Sequence, residues 1–151
     1  MAHWTLRDLE RWDERIRDKV ESFGLECFPQ EFEVCDQDQM LGYIAYSGMP
    51  AQYPHWSFGK SYEKLKTLYN YGVSSLPYEM VINADPCLAY LMRDNSLCLQ
   101  ILTMTHVYAH NDFFRNNFMF RNTQPQLSIS GFKLQADRVR HYVEDPSIGL
   151  H

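Results

Sequence analysis

The N-terminal segment of the chain has the apolar spacing of a helix. From Thr5 to Phe23, apolar side chains recur three or four positions apart, and charged residues fill most positions between them. This spacing places the apolar side chains on one stripe and predicts an amphipathic helix that packs against a core. Gly24 follows the last apolar residue and predicts the end of the helix.

Four further segments predict helices, in addition to the short helix after Asp85 that is described below. Asp36 is a typical N-cap residue for a helix that continues to Ala45, and residues 61–71 have apolar side chains at helical spacing. Residues 96–114 contain few charges, so they predict a long apolar helix that lies centrally in the core. Residues 133–144 again combine apolar and charged positions at helical spacing and predict an amphipathic helix.

Two segments predict strands. Residues 31–35 alternate polar and apolar side chains, which is typical of a short strand with one side in solvent. Residues 78–82 form the clearest strand of the chain. Asp85 and Pro86 then have the residue types of an N-cap and a first helical position, so we expect a short helix that ends near Met92.

Together these elements predict a helix-rich α+β fold with a small sheet. The length of 151 residues suits one domain, and a hydrophobic share of 45% is enough for a substantial core. The aromatic segment 51–59 is expected to be extended or looped. The segment from Asp145 to His151 is an unusual place for a domain to stop. We therefore expect a single domain over residues 1–151 that is truncated at its C-terminus.

Charge and composition argue against several classes of protein. A net charge of -5 and a pI of about 5.6 do not suggest nucleic-acid binding. The N-terminus lacks the basic and apolar regions of a signal peptide, and residues 95–111 are too short and too polar to insert into a membrane. The 4 cysteines have no CxxC spacing, so we expect reduced thiols in a cytoplasmic protein.

The most specific chemistry lies in the predicted apolar helix, where His106 and His110 are four positions apart. Histidines at this spacing lie one helical turn above each other on the same face. Two such imidazole rings can bind one tetrahedral metal ion, typically zinc. The alternative is a pair of core histidines that hydrogen-bond to carboxylates or backbone carbonyls, since buried imidazoles need polar partners.

A catalytic zinc ion usually has three protein ligands, and the spacing does not identify the third. Glu79, on the second predicted strand, is the first candidate, either as the third ligand or as the base that takes a proton from water. Glu31, Glu33 and His55 are further candidates. Val107 occupies the position of the catalytic glutamate in HExxH metalloproteases, so a hydrolase of this kind would need its carboxylate elsewhere.

Three residues close to the histidine pair are candidates for supporting roles. Tyr108 and Asn111 are candidates to orient the ligands, although a tyrosine at this position is also a typical core ring. Asp112 points away from the histidine face and suits an outer or structural role.

Several longer segments, in this order, resemble the stage V sporulation protein R (SpoVR-like) family. The resemblance covers nearly the whole chain and departs at Ala109, where we expect glycine. It is carried by Phe28–Glu33, Tyr53–Lys60, Tyr78–Asn83, Pro86–Met92, His106–Phe114, Ala136–Arg140 and Glu144–Gly149.

The resemblance implies a bacterial or archaeal cytoplasmic protein, with a role in spore cortex formation in spore formers. Members in non-sporulating bacteria imply that sporulation is not the general activity. Longer members carry a later segment that looks like the downstream glutamate ligand of zincin-type metallopeptidases, and this chain lacks that segment. Combined with the histidine pair, the resemblance implies a zincin-like core in which the 78–82 strand borders a groove above the histidine helix. A peptide or peptidoglycan-type substrate follows by analogy.

Two functions therefore remain open. In the first, the protein is a zinc-dependent hydrolase-like protein with His106 and His110 as metal ligands and Glu79 as ligand or base. In the second, it is a non-catalytic structural or interaction module that binds a protein partner through its aromatic segment. The candidate residues of the substrate or partner groove are His55, Trp56 and Tyr78.

Overall fold

The computed structural model describes residues 4–49 and 52–148, and within them the fold is α+β, as predicted. Helices predominate and the sheet is small. The helices are α1 (Leu6–Ser22), α2 (Gln37–Ala45), α3 (Trp56–Asn70), α4 (Leu97–Asn116) and α5 (Ser128–Glu144), and the strands are β1 (Gln30–Cys35), β2 (Glu79–Ile82) and β3 (Cys87–Met92). Two short 3-10 turns, Phe118–Phe120 and Pro125–Leu127, connect α4 to α5.

The three strands form a mixed sheet with β3 in the centre, in the order β1-β3-β2. β1 runs parallel to β3, with Gln30 opposite Cys87 and Cys35 opposite Met92. β2 runs antiparallel to β3, with Glu79 opposite Leu91. Within the part of the chain that the structure describes, β1 and β2 are therefore the two edges of the sheet.

The prediction of a helix up to Met92 was wrong, because Cys87–Met92 is the central strand β3. Asp85 and Pro86 precede the strand and do not cap a helix. The apolar run after them is only six residues long and nearly all of it is buried. A short, continuously apolar segment is typical of a strand covered on both faces, and the hydrogen bonds to two neighbouring strands stabilise it in that form.

Each face of the sheet is covered by helices. α1 and α4 cover one face, and their core contains Leu9, Ile16, Val20, Leu91, Met104 and Tyr108. α2 lies on the other face, where the buried cluster contains Cys35, Met40, Ile82, Ala84, Tyr90 and Met92. Alternate side chains of β3 pack into the two cores, since successive side chains of a strand point to opposite faces.

Four of the helices begin at a residue whose side chain caps the helix N-terminus. Thr5 and Asp8 form a capping box at α1, and Asp36, the predicted N-cap, forms another with Gln39 at α2. Ser96 caps α4. α3 begins within the aromatic segment that was expected to be extended or looped, because the His55 side chain accepts a hydrogen bond from the Ser57 amide and caps the helix. Histidine is not a usual N-cap residue, which explains the missed helix start.

The expectation that α4 lies centrally in the core was wrong for one of its faces. Its buried residues, such as Met104 and Val107, follow helical spacing, whereas Leu102 is 62% exposed and Phe113 is 51% exposed. A lack of charge therefore does not mark complete burial here. α5 buries none of its residues. Among the helices that the structure describes, none has the length and apolar content needed to cross a bilayer.

Candidate metal centre

Glu79 reaches the histidine helix because of its place in the sheet. It is the first residue of β2 and lies opposite Leu91, whose side chain belongs to the core under α1 and α4. Directly opposite residues of an antiparallel pair project to the same face, so Glu79 projects toward α4. Its side chain is only 19% exposed.

The helix brings the two imidazole rings together on the adjoining face of α4. The Nε2 atoms of His106 and His110 are 2.9 Å apart. The Nε2 atom of His106 lies 3.6 Å from Oε1 of Glu79. One potential ligand atom from each of these three residues lies within 4.8 Å of the others. The first-choice candidates from the sequence thus form one cluster.

Burial and neighbouring charge favour the neutral form of His110. Partial burial lowers the pKa of its ring, the nearby His106 lowers it further, and the Glu79 carboxylate acts in the opposite direction. A neutral imidazole is the form that binds a metal ion. Without an ion, the short Nε2–Nε2 distance is that of a hydrogen bond in which one ring donates to the other.

The donor set fits a divalent ion of the zinc type. Two histidines and one glutamate are the ligands of a well-known class of catalytic zinc sites. Ligand atoms around a tetrahedral zinc ion are separated by roughly 3.3 Å, given metal–ligand distances of about 2.0–2.1 Å. The distance of 3.6 Å between Glu79 and His106 agrees with this value. The Nε2 atoms of His106 and His110 are 2.9 Å apart, so the two rings would have to move slightly apart to bind one ion. His106 is 59% exposed, which leaves one side of the cluster open to solvent.

An aromatic side chain that the sequence analysis did not select lies beside the cluster. The ring of Phe114 stacks on His110 with a centroid distance of 6.0 Å and an interplanar angle of 22°. Phe120 contacts Phe114 edge-on at 5.5 Å. The four-residue spacing from His110 to Phe114 was the available signal, since it places both rings on one helix face. These rings make one side of the site apolar.

The candidates for supporting roles serve the fold and not the cluster. Tyr108 is a buried core ring whose hydroxyl donates to Asp13 at 2.7 Å. Asn111 is fully buried and hydrogen-bonds to the backbone of Phe28. Asp112 accepts a hydrogen bond from the Glu26 amide, in agreement with its expected structural role. Tyr108 is thus the core ring that was the alternative for it, and neither Tyr108 nor Asn111 orients the histidines, because their polar atoms are bonded elsewhere.

The alternative carboxylates lie away from the histidine pair. Glu31 and Glu33 are exposed on β1, and β3 separates that strand from β2. Neither belongs to the cluster found among the described residues, and neither does His55. The sheet order, which a single sequence does not reveal, distinguishes Glu79 from these candidates.

The predicted groove residues lie at two places. His55 lines a cavity of about 620 Å³ between α2 and α3. Trp56 follows it, is 68% exposed, and carries the Lys60 ammonium 5.6 Å from its ring centroid. Tyr78 is 57% exposed and immediately precedes Glu79. Neither Trp56 nor Tyr78 is among the described residues that line the His55 cavity. A substrate or partner groove formed by these residues stays a prediction.

Comparison with known proteins identifies the family of the chain and a relative. A family model described as "SpoVR like protein" matches residues 3–151. The "Uncharacterized protein YcgB" of Escherichia coli (strain K12) is 38% identical over 143 residues. That alignment covers 94% of this chain and 28% of the relative, so the chain spans less than a third of the relative's length. No solved structure gives a significant match to the chain.

Proposed function

Since the chain belongs to the SpoVR-like family, we propose that it provides the metal-binding residues of a zinc-dependent hydrolase-like protein. The observation that carries this proposal is the convergence of Glu79 with His106 and His110. Two of these residues are one helical turn apart, but the third comes from a different element and is distant in sequence. Such a juxtaposition of three ligand-type side chains at an open surface is typical of catalytic zinc sites.

His106 and His110 would hold the ion through their Nε2 atoms, and Glu79 would be the third ligand through Oε1. When bound, an ion of this type lowers the pKa of water and polarises a carbonyl group. In the alternative arrangement, Glu79 would not bind the ion, and its carboxylate would accept the proton that water loses, since Val107 occupies the position of the glutamate in HExxH metalloproteases. The Phe114 ring beside His110 would exclude water from one side and strengthen electrostatic interactions in the site.

A peptide-type substrate fits the position of β2. This strand is an edge of the sheet within the described residues, and Glu79 is its first residue. An extended peptide can add to such an edge through backbone hydrogen bonds, which would carry its scissile carbonyl past the cluster. We propose a peptide or peptidoglycan-type substrate and a zincin-like arrangement on this basis. In a spore-forming host, the same activity would contribute to cortex formation.

Metal analysis of the purified protein tests this proposal. We expect one zinc-type ion per chain after incubation with zinc and removal of excess metal, and at least a tenfold loss of metal affinity in His106→Ala and His110→Ala. Glu79→Gln should weaken binding less, because the amide keeps a weak oxygen donor. His141→Ala is the matched control, since His141 is also an exposed helical histidine but lies outside the cluster. Substoichiometric metal, or equal loss in the control, would contradict the proposal.

A non-catalytic interaction module is the second candidate, and one observation favours it. Large apolar side chains are exposed beyond α4, including Phe118 at 70%, Met119 at 79% and Phe132 at 53%. Exposed apolar groups of this kind are typical of surfaces that contact another polypeptide. Two results together would support this function over the first: the purified protein contains no metal, and the double variant His106→Ala/His110→Ala still binds the partner.

A further inference from the structure

The helix α5 carries an apolar stripe along one face. Its apolar side chains recur at alternating spacings of three and four residues, which is the spacing of a helix that pairs lengthwise with another helix. This spacing brings the side chains into one line along the helix axis. We call the stripe the α5 seam, and it consists of Ile129, Phe132, Ala136, Val139 and Val143.

The α5 seam is accessible to another polypeptide. The structure describes α5 over its whole length, and all of its side chains are exposed or half-buried. Ile129 is 38% exposed, Phe132 is 53% exposed and Val139 is 36% exposed. Among the described elements, the main contacts of α5 are with the preceding turn Pro125–Leu127. Single exposed apolar residues are common on protein surfaces, whereas a continuous stripe is typical of a surface that contacts another polypeptide.

An open cavity lies at the N-terminal end of the seam. It has a volume of about 380 Å³, and its lining includes Leu127, Gly131, Phe132 and Gln135. A Cβ atom added at Gly131 would have no atom within 4 Å, so the helix surface is open at this point. In paired helices, an apolar side chain of one helix enters a hole between side chains of the other. The cavity would receive such a side chain.

Basic side chains flank the seam on one side. Lys133 and Arg140 are seven residues apart, and each directly follows a seam residue, so both lie beside the stripe. Arg140 is 3.7 Å from Asp137, but both side chains are 46% exposed, and an exposed pair of this kind contributes little. The guanidinium can therefore exchange this contact for a carboxylate of a partner. The opposite flank of the seam is uncharged and contains Gln135 and Tyr142.

These flanks argue against a second copy of this chain as the partner. In an antiparallel pair of α5 helices, Lys133 and Arg140 of one copy would lie beside the same side chains of the other copy, and like charges disfavour that pairing. In a parallel pair they would lie beside the uncharged Gln135 and Tyr142, so no ion pair would form. A helix with carboxylates beside its apolar stripe would instead have complementary charge.

Longer family members contain polypeptide that can supply such a helix. The alignment with YcgB covers 94% of this chain and only 28% of that relative, so most of the relative lies outside the alignment. A helix from the same polypeptide needs only modest intrinsic affinity, because the covalent connection gives it a high effective concentration at the seam.

We propose that the α5 seam binds an amphipathic helix with acidic flanks, which belongs to the part of the longer family members outside this alignment. The apolar side chains of that helix would pack on the seam, and its carboxylates would pair with Lys133 and Arg140. This surface is separate from the metal cluster, so the inference holds for either of the two functions considered above.

Calorimetric titration with two synthetic helices tests the charge of the partner. Both peptides have three heptads with isoleucine and leucine at the apolar positions, and they carry either glutamate or lysine on both flanks. We expect the acidic peptide to bind at least tenfold more tightly, because its flanks meet Lys133 and Arg140. The whole chain has a net charge of -5, so non-specific attraction would favour the basic peptide. Equal affinities, or no binding of the acidic peptide at millimolar concentration, would overturn the proposal.

Substitutions on α5 separate binding from folding. Phe132→Ser should weaken binding of the acidic peptide at least tenfold and leave the melting temperature unchanged, since Phe132 is exposed. Leu134→Ser is the matched control, because Leu134 is also 53% exposed but lies on the opposite side of α5. The double variant Lys133→Glu/Arg140→Glu should reverse the preference between the two peptides, whereas Arg138→Glu, outside the seam and its flanks, should not. Equal loss in Phe132→Ser and Leu134→Ser, or an unchanged preference in the double variant, would contradict the proposed surface.

Two further measurements test the source of the helix. Sedimentation velocity should show a monomer, and a dimer that Phe132→Ser dissociates would overturn the proposal in favour of a second copy. In full-length YcgB, the segment that aligns with α5 should exchange its amide hydrogens at least tenfold more slowly than α5 of this chain, because a docked helix opens less often. Equally rapid exchange in the two proteins would overturn the assignment of the helix to the longer polypeptide.

Discussion

Asn111 is a buried polar side chain that joins α4 to the segment before β1 and to the first residue of that strand. It is fully buried, accepts a hydrogen bond from the Phe28 amide at 2.8 Å, and donates to the Phe28 carbonyl at 3.0 Å and to Oε1 of Gln30 at 2.9 Å. Because the partner groups are partly buried, loss of the amide leaves them without a hydrogen bond and without full access to water.

We therefore expect Asn111→Ala to lower the free energy of unfolding by about 2–3 kcal/mol. Chemical denaturation measures this value. Thr105→Ala, on the exposed side of the same helix, is the control and should change stability by about 0.5 kcal/mol or less. A similar effect of both substitutions would contradict the role given to Asn111.

The cysteine side chains differ in their burial and therefore in their expected reactivity. Burial, with a smaller contribution from Asp36, raises the pKa of Cys35 to about 11. Burial, with a smaller contribution from Cys27, raises the pKa of Cys87 to about 12. Cys98 is exposed. Since the thiolate is the reactive form, a raised pKa leaves almost none of it at pH 8.

At pH 8, we expect Ellman's reagent to modify Cys98 rapidly in the native protein, and to modify Cys35 and Cys87 only after unfolding. Absorbance at the wavelength of the released thiolate follows the reaction. Cys98→Ser should remove the fast phase. A fast phase that persists in this variant would show that the partly buried Cys27, or one of the two buried thiols, reacts in the folded protein.

At the scale of elements, α5 differs from α1 and α4, the other two helices with more than 15 residues. It buries no residue, whereas α4 buries six along one face. Helices obtain most of their stability from the packing of an apolar face, and a helix without such packing opens more often.

Hydrogen exchange followed by mass spectrometry should therefore show rapid exchange in α5 and slow exchange in the buried turns of α4. We expect protection factors at least tenfold lower in α5 than around Val107 and Tyr108. Equal protection in the two helices would mean that α5 is stabilised by contacts other than those described.

Element prediction succeeded where the local signals and the tertiary environment agree. The strong periodicity of α1 and the Asp36 cap depend on nearby residues, and the structure confirms both. The prediction for residues 87–92 failed because Asp85 and Pro86 have the residue types of a helix start. The pairing of β3 with β1 and β2 depends on residues that are distant in sequence. Local chemistry could not outweigh those contacts.

At the scale of the whole molecule, stability depends on the central strand. Leu91 of β3 is completely buried between the sheet and the helices α1 and α4. Leu91→Ala should lower the free energy of unfolding by about 2–5 kcal/mol through lost apolar contacts and the resulting cavity.

Leu102→Ala is the matched control, since Leu102 is 62% exposed and the substitution should change stability by about 0.5 kcal/mol or less. Urea denaturation of both variants measures the difference. If both substitutions lowered the free energy of unfolding equally, this would mean that another surface covers Leu102 under the conditions of the measurement.

The sequence by itself determined which residues share a helix face, because that depends only on spacing. The pairing of His106 with His110 and the apolar stripe of α1 are of this kind. Tertiary structure decided that Glu79 completes the cluster and that Glu31 and Glu33 do not, since this depends on the order of strands in the sheet. It also decided that the histidines lie at a half-open surface: the burial of a helix face depends on what packs against it, and not on the residues of the helix alone.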